Sequence, residues 1–197
     1  MHNDDDGVPW PREVPKLTTA RLLLRAVHPA RDAAGMLQLL SDPEVTRHSN
    51  APVCTTVAEV RAALEQFPRR FAAKEMIRWA IQPLGHDEAI GTVGLVRVNH
   101  EHRRGGLGYD LARRWWGQGL ATEAAGAVVA YGFAAMELHR IEAGVLPGND
   151  ASARVLQKLG FRKEATLRDY IHLRGRFHNC QLFSLLAADA PMIGGHQ

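Results

Sequence analysis

Strand-like and helix-like stretches alternate along most of this chain, and two consecutive strand-like runs close it. That order predicts a single α/β (α+β) domain with a mixed central sheet flanked by helices. The 197 residues suit one domain with a full core. With 46% hydrophobic and 23% charged residues the composition is globular, which sets aside disordered and fibrous classes.

The elements follow in order. Residues 1–15 are acidic and then proline-rich (Pro9, Pro11, Pro15), and are expected to form a disordered tail. The domain is expected to span residues 16–188, with residues 189–197 as a C-terminal tail. Leu17 to Val27 predicts a strand with Leu22 and Leu24 on one face. Ala30 to Leu40 predicts a helix that Asp42-Pro43 stops. Residues 44–56 are polar and irregular, and hold Thr46, His48, Ser49 and Asn50. Val57 to Ala73 predicts a second helix, which Pro68 is expected to kink or divide. Ile77–Ile81 and Ala89–Val98 predict strands joined by a turn at Pro83–Asp87. Asn99 to Gly106 reads as a charged hairpin connection.

Leu107, Tyr109 and Leu111 alternate as in a strand, and Leu120, Ala124, Val128 and Tyr131 recur at helical spacing. Leu138–Val145 predicts another strand. A short helix follows, with Asn149 at its N-cap, Ala151, Val155 and Leu159 on its apolar side, and Gly160 as terminator. Phe161 to about Leu186 carries the closing runs, joined near Arg174-Gly175-Arg176. No internal repeat or low-complexity segment is present.

Charge and cysteine content narrow the function classes. A net charge of +3 with Lys and Arg dispersed gives little support for nucleic-acid binding. Cys54 and Cys180 are far apart and outside any metal-ligand pattern, as expected of reduced thiols in the cytoplasm. No apolar run approaches the roughly 20 residues of a membrane span, and the acidic N-terminus is unlike a signal peptide. His100-Glu101-His102 lacks a third ligand at recognisable spacing, so no metal is expected.

The most informative stretch is Arg114 to Glu123. Gly117 and Gly119 lie where the strand gives way to the helix, and bare backbone there lets a ligand approach closely. The first amides of the helix have no partner within it, which makes its N-terminus a phosphate site. Thr122 stands where a dinucleotide fingerprint needs its third glycine, and no Gly-Lys-Ser/Thr of a P-loop follows.

Arg114-x-x-Gly117-x-Gly119 resembles the pyrophosphate loop of the GNAT superfamily of acetyl-CoA-dependent N-acetyltransferases. The longer run Trp116-Gly117-Gln118-Gly119-Leu120-Ala121-Thr122-Glu123-Ala124 resembles the RimJ/RimL-type branch. Further pieces in matching order are Thr19-x-Arg21-Leu22-x-Leu24-Arg25, His139 to Ala143, Asn149-x-x-Ser152, Lys158-Leu159-Gly160-Phe161 and Leu167 to Tyr170. The resemblance covers roughly residues 16–188 and implies the GNAT fold, a mixed, mostly antiparallel sheet.

It also implies roles. Backbone amides from Gln118 through Gly119, Leu120 and Ala121 to Thr122 would hold the pyrophosphate of acetyl-CoA, and Arg114 would add charge. Asn149 would sit against the pantetheine, or serve as a helix cap. The strand holding Gly91 and Gly94 would pair with the acyl arm and splay from its neighbour, or be a plain buried strand. Leu156 occupies the place where many members carry a Tyr that protonates the leaving thiolate. Ser152 is the acid candidate in the RimJ/RimL-type branch, against the simpler role of a first-turn serine. Asp110, Glu142, Asp169 and His172 are the base candidates, with Asp110 and Glu142 foremost. Ile171 stands where some members have a Glu. Tyr109, Trp115 and Trp116 are expected to pack the core or wall the cleft.

The resemblance implies transfer of an acetyl group by direct attack in a ternary complex, with no metal. The acceptor would be a protein N-terminus or a small-molecule amine, chosen by residues 44–56 and 99–106. The alternative is a catalytically weak or silent acyl-CoA-binding module. Oligomeric state stays open, a dimer being common among relatives.

Overall fold

The computed structural model describes residues 7–49 and 52–190. Asn50, the first six residues and residues 191–197 lie outside the described residues. Among the described residues eight strands form one sheet: β1 (Leu17–Thr18), β2 (Leu22–Ala26), β3 (Met76–Pro83), β4 (Gly91–Asn99), β5 (Arg104–Leu111), β6 (Arg140–Val145), β7 (Arg162–Leu173) and β8 (Arg176–Leu186). Their order is β1-β2-β3-β4-β5-β6-β8-β7. Every neighbouring pair is antiparallel except β5 with β6. The helices are α1 (Pro29–Leu40), α2 (Pro43–Thr46), α3 (Val57–Leu64), α4 (Gln66–Ala72), α5 (Leu120–Ala134) and α6 (Asp150–Lys158). This is the mixed α/β domain that the alternation of elements predicts, with the mostly antiparallel sheet that the resemblance implies.

Strand alternation divides the core. Ile77, Trp79 and Ile81 of β3 turn to the side where Leu120, Ala124 and Val128 of α5 and Leu156 of α6 pack. Ala80 turns to the other side, against Met36 and Leu39 of α1 and Val60 and Leu64 of α3. Thr56 and Glu59 form a reciprocal capping box at the start of α3. The break between α3 and α4 falls at Glu65, because Pro68 has no amide to offer the carbonyl of Leu64.

Four expectations need correction. The tail does not extend to residue 15: Val8 is buried in the core, Trp10 packs on Phe71, and the Pro15 carbonyl accepts the Trp79 indole N–H at 2.6 Å. The strand from Leu17 is two short strands, with Leu17 folded back opposite Leu24. The polar segment after Asp42 begins with α2, because the Asp42 carboxylate caps the Glu44 amide at 2.8 Å.

The fourth concerns Gly91 and Gly94. Their strand, β4, pairs continuously with β3, and with β5 from Gly91 to Val96. A Cβ at Gly91 would overlap the Asp110 carbonyl oxygen, and one at Gly94 that of Ile77. Close strand contact inside the sheet therefore requires both glycines. The divergence lies one strand further on. β5 and β6 share only the pairs Arg104–Arg140, Gly105–Ile141 and Gly106–Glu142, and then part.

Candidate active site

A cleft of about 710 Å³ opens where β5 and β6 separate. Tyr109 and Asp110 are successive residues of β5 that point to opposite faces of the sheet, yet both line the cleft. It therefore reaches both faces. On one side stand the start of α5 and the start of α6, and on the other Glu44, Arg47, His48 and Ser49.

At the start of α5 the chain makes two left-handed steps, at Gly117 (φ +75°) and Gly119 (φ +78°). Such backbone favours glycine, and a Cβ at Gly117 would meet nothing within 4 Å, so this surface is open. Gly119 is the N-cap of α5 and supplies no side-chain cap. The amides of Leu120, Ala121 and Thr122 thus head a 15-residue helix with no intrahelical acceptor, beside the cleft that all three residues line. An anion fits this cradle.

The loop is braced from the turn between β1 and β2. Arg21 donates to the Gln118 carbonyl at 3.0 Å and, through Nε, to Glu123 at 2.7 Å. The Thr19 hydroxyl donates to the same carboxylate at 2.6 Å. Burial alone would raise the Glu123 carboxyl, but the hydrogen bonds from Thr19 and Arg21 outweigh it and hold the group below its usual range.

Beside the start of α5, Asn149 caps α6 by accepting the Ser152 amide at 3.2 Å. Ser152 Oγ lies 2.8 Å from the Tyr109 hydroxyl, which is also 3.2 Å from the Ser152 carbonyl oxygen. Burial pushes the Tyr109 phenol up to about 12. The bond to Ser152 partly offsets that rise, and the nearby Asp110 charge adds to it. Asp110 accepts Arg78 Nη2 at 2.6 Å, and Arg78 Nε also donates to Thr92. His48 is shifted below its ordinary value, first by desolvation and then by the Arg47 and Arg174 charges, against the pull of Glu44. The β7–β8 hairpin tip supports this wall, as Arg174 donates to the Thr46 carbonyl at 3.2 Å.

The structure gathers Ser152, Asp110, Gly117, Gly119, Leu120, Ala121, Thr122 and Asn149 on one cleft. It sets other candidates apart. Arg114 projects over the Trp115 ring and lies 3.8 Å from Glu88, so its charge is spent away from the cleft. The Gln118 side chain folds back onto the Arg114 carbonyl. Glu142 is held by Arg140 at 2.6 Å in a network that includes Glu164 and Ser184, outside the cleft lining. Asp169 sits at a bulge of β7, and His172 stacks on Phe177. Leu156 is fully buried in the core. Among the described residues of the two segments expected to choose the acceptor, only Glu44, Val45, Arg47, His48 and Ser49 line the cleft. His100 instead packs on Trp10 and contacts the Lys74 carbonyl.

The Tyr109–Ser152 pair is the feature that sequence reasoning missed. Its sequence signal was slight: a polar tip among the apolar alternates of β5. Among the described residues no cluster of three or more His, Cys, Asp or Glu could hold a metal, and no helix is long and apolar enough to cross a membrane.

A mixed sheet parted at its one parallel junction, with an uncapped helix N-terminus beside the gap, is the architecture of an acyl-CoA transferase. The profile of the Acetyltransferase (GNAT) domain matches residues 21–162, and the chain belongs to that family. It is 39% identical over 170 residues to "Uncharacterized N-acetyltransferase p20" of Bacillus licheniformis, covering 86% of this chain and 95% of that one. It is 36% identical over 83 residues to the [ribosomal protein uS5]-alanine N-acetyltransferase of Escherichia coli, covering 42% of this chain and 43% of that one. Its fold matches Mycobacterium smegmatis RimJ in complex with CoA-disulfide, with a TM-score of 0.81 and 27% identity over 94% of this chain and 92% of that one. The chain is thus an N-acetyltransferase of the GNAT family, with an acyl-CoA as cosubstrate.

Proposed function

We propose that this enzyme transfers the acetyl group of acetyl-CoA to a primary amine by direct attack in a ternary complex. The acceptor is a protein N-terminus, with small-molecule amines as the second choice. The observation that carries this reading is the uncapped start of α5, which shares one cleft with the hydroxyls of Tyr109 and Ser152. The relative that acetylates a ribosomal protein alanine supports the acceptor class.

The residues divide the work. Amides from Gln118 to Thr122 hold the pyrophosphate, with Gly117 and Gly119 giving it bare backbone to lie against. Asn149 keeps its capping bond and presents its remaining edge to the pantetheine arm. Acetyl-CoA supplies the activated thioester carbonyl. An attacking amine must be neutral and held near that carbon. Asp110 and His48 are the cleft groups that take its proton, and desolvation keeps the His48 ring uncharged, with a ring nitrogen free to accept one. Ser152 offers its hydroxyl proton to the departing sulfur.

Calorimetry with acetyl-CoA, followed by thiol-release assays on peptides with free N-termini and on small amines, tests the reading. Binding with release for peptides is the expected result. Binding with release only for small amines overturns the acceptor assignment, and binding without any release overturns the enzymatic reading in favour of a silent acyl-CoA-binding module.

A further inference from the structure

We propose that Tyr109 is a positioning residue for Ser152: its phenol holds Ser152 Oγ so that the serine hydrogen is free to turn into the cleft toward the leaving sulfur. This rests on the function proposed above.

The pair joins two elements that meet across the cleft. Tyr109 comes from β5 and Ser152 from the first turn of α6, 43 residues later, with their oxygens 2.8 Å apart. The backbone of Ser152 is fixed independently, because its amide is bound to Asn149 Oδ1. What stays variable is the direction of its hydroxyl hydrogen.

The phenol has two acceptors within reach, Ser152 Oγ at 2.8 Å and the Ser152 carbonyl oxygen at 3.2 Å. Two settings satisfy every group. In one, Ser152 donates to Tyr109 and Tyr109 donates to the carbonyl. In the other, Tyr109 donates to Oγ and the serine hydrogen is released to the cleft. Negative charge developing on sulfur selects the second setting, because it offers a stronger acceptor than a phenol oxygen. Burial keeps the phenol protonated across the neutral range, so it acts as a lasting donor rather than a proton source.

The ledger of the step balances. A C–N bond forms and the C–S bond breaks. The amine nitrogen gives one proton to the cleft base, and Ser152 gives its hydroxyl proton to sulfur. The proton held by the base returns through water to Ser152 Oγ, so Ser152, Tyr109 and the base all end as they began. A serine whose second lone pair is held by Tyr109 crosses this sequence without losing its rotamer, which is the preorganisation that favours transfer.

The test is a double-variant cycle in this chain, using Tyr109→Phe, Ser152→Ala and both together. Steady-state thiol release is measured with acetyl-CoA and an acceptor that supports turnover. Tyr109→Phe is expected to lower kcat about tenfold, the scale of one transition-state hydrogen bond, with KM for acetyl-CoA within about twofold. In the Ser152→Ala background the same change is expected to have no further effect. An equal loss in both backgrounds overturns the proposal, as does a raised KM with kcat unchanged, since the phenol would then only prop α6. If the wild-type chain binds acetyl-CoA but releases no thiol with any acceptor, the proposed function fails first and the proposal falls with it.

Discussion

Arg21 and Glu123, 102 residues apart in the chain, are joined by both the backbone amide and the guanidinium of Arg21, at 2.9 and 2.7 Å. Glu123 lies in the first turn of α5, so this contact ties the edge of the sheet to the anion cradle. Arg21→Ala is expected to raise the acetyl-CoA dissociation constant about three- to tenfold while costing only about 1 kcal/mol of stability, because the arginine is half exposed. Calorimetry beside thermal unfolding separates the two effects. An unchanged affinity would show that the loop keeps its shape without the brace.

Gly119→Val places a β-branched residue at φ +78° on the same loop. The expected outcome is loss of measurable acetyl-CoA binding with a folded protein, at a strain cost of about 1–2 kcal/mol. Circular dichroism together with calorimetry checks this. Retained affinity would remove the loop from the cofactor site.

Asp32 and Arg25 form a buried pair, 2.7 Å apart with side-chain exposures of 1% and 5%, where α1 meets β2. Asp32 also accepts the His28 amide ahead of α1. Asp32→Ala leaves a buried guanidinium without its partner, so unfolding should become easier by about 3–5 kcal/mol. Denaturant titration measures it, and a loss below 1 kcal/mol would mean that water reaches Arg25.

Acid stability follows from carboxylates whose affinity for protons is lowered by folding. Arg140, and then Ser184, hold Glu164 down to about 2, and Glu123 is also lowered. Each contributes stability that is present above its unfolded value near 4.5 and is lost as pH falls through the folded one. The melting temperature should therefore drop between about pH 4.5 and 2. In Glu164→Gln that fall should be shallower, which a calorimetric pH series would detect.

Arg154 and Lys158 stand one turn apart on α6 and line the cleft, and neither has a carboxylate partner among the described residues. Free cations there favour a phosphate-bearing ligand. Reversing both charges, Arg154→Glu with Lys158→Glu, should weaken CoA more than tenfold at low salt and less at high salt. Equal losses at both ionic strengths would argue against a charge effect.

Much of this was legible in the sequence because it is local. The alternation around Leu107 to Leu111, the Gly117–Gly119 turn and the capping run at Asn149 each report on neighbouring residues. What could not be read depends on contacts between distant segments. Nothing near Val8 or Trp10 signals that they pack on the core, since their partners lie on later elements. The split between β1 and β2 is stabilised by Thr19 and Arg21 reaching Glu123. Glu142 looked like a base because its strand was expected near the site, yet Arg140 pairs with it outside the cleft lining. Tyr109 looked like wall material because Ser152 comes 43 residues later.

The three residue pairs joining β5 to β6 make the sheet resemble two covers held by a short spine. Strands β1 to β5 form one cover and β6, β8 and β7 the other, with α5 running between them as the binding cloth. The cleft is lined by β5 of one cover and by α6, which links β6 to β7 of the other, so a molecule lodged there serves as substrate and also as a clasp. The free energy it releases on docking is then shared with the whole assembly, and the enzyme is most cohesive at the moment it is loaded.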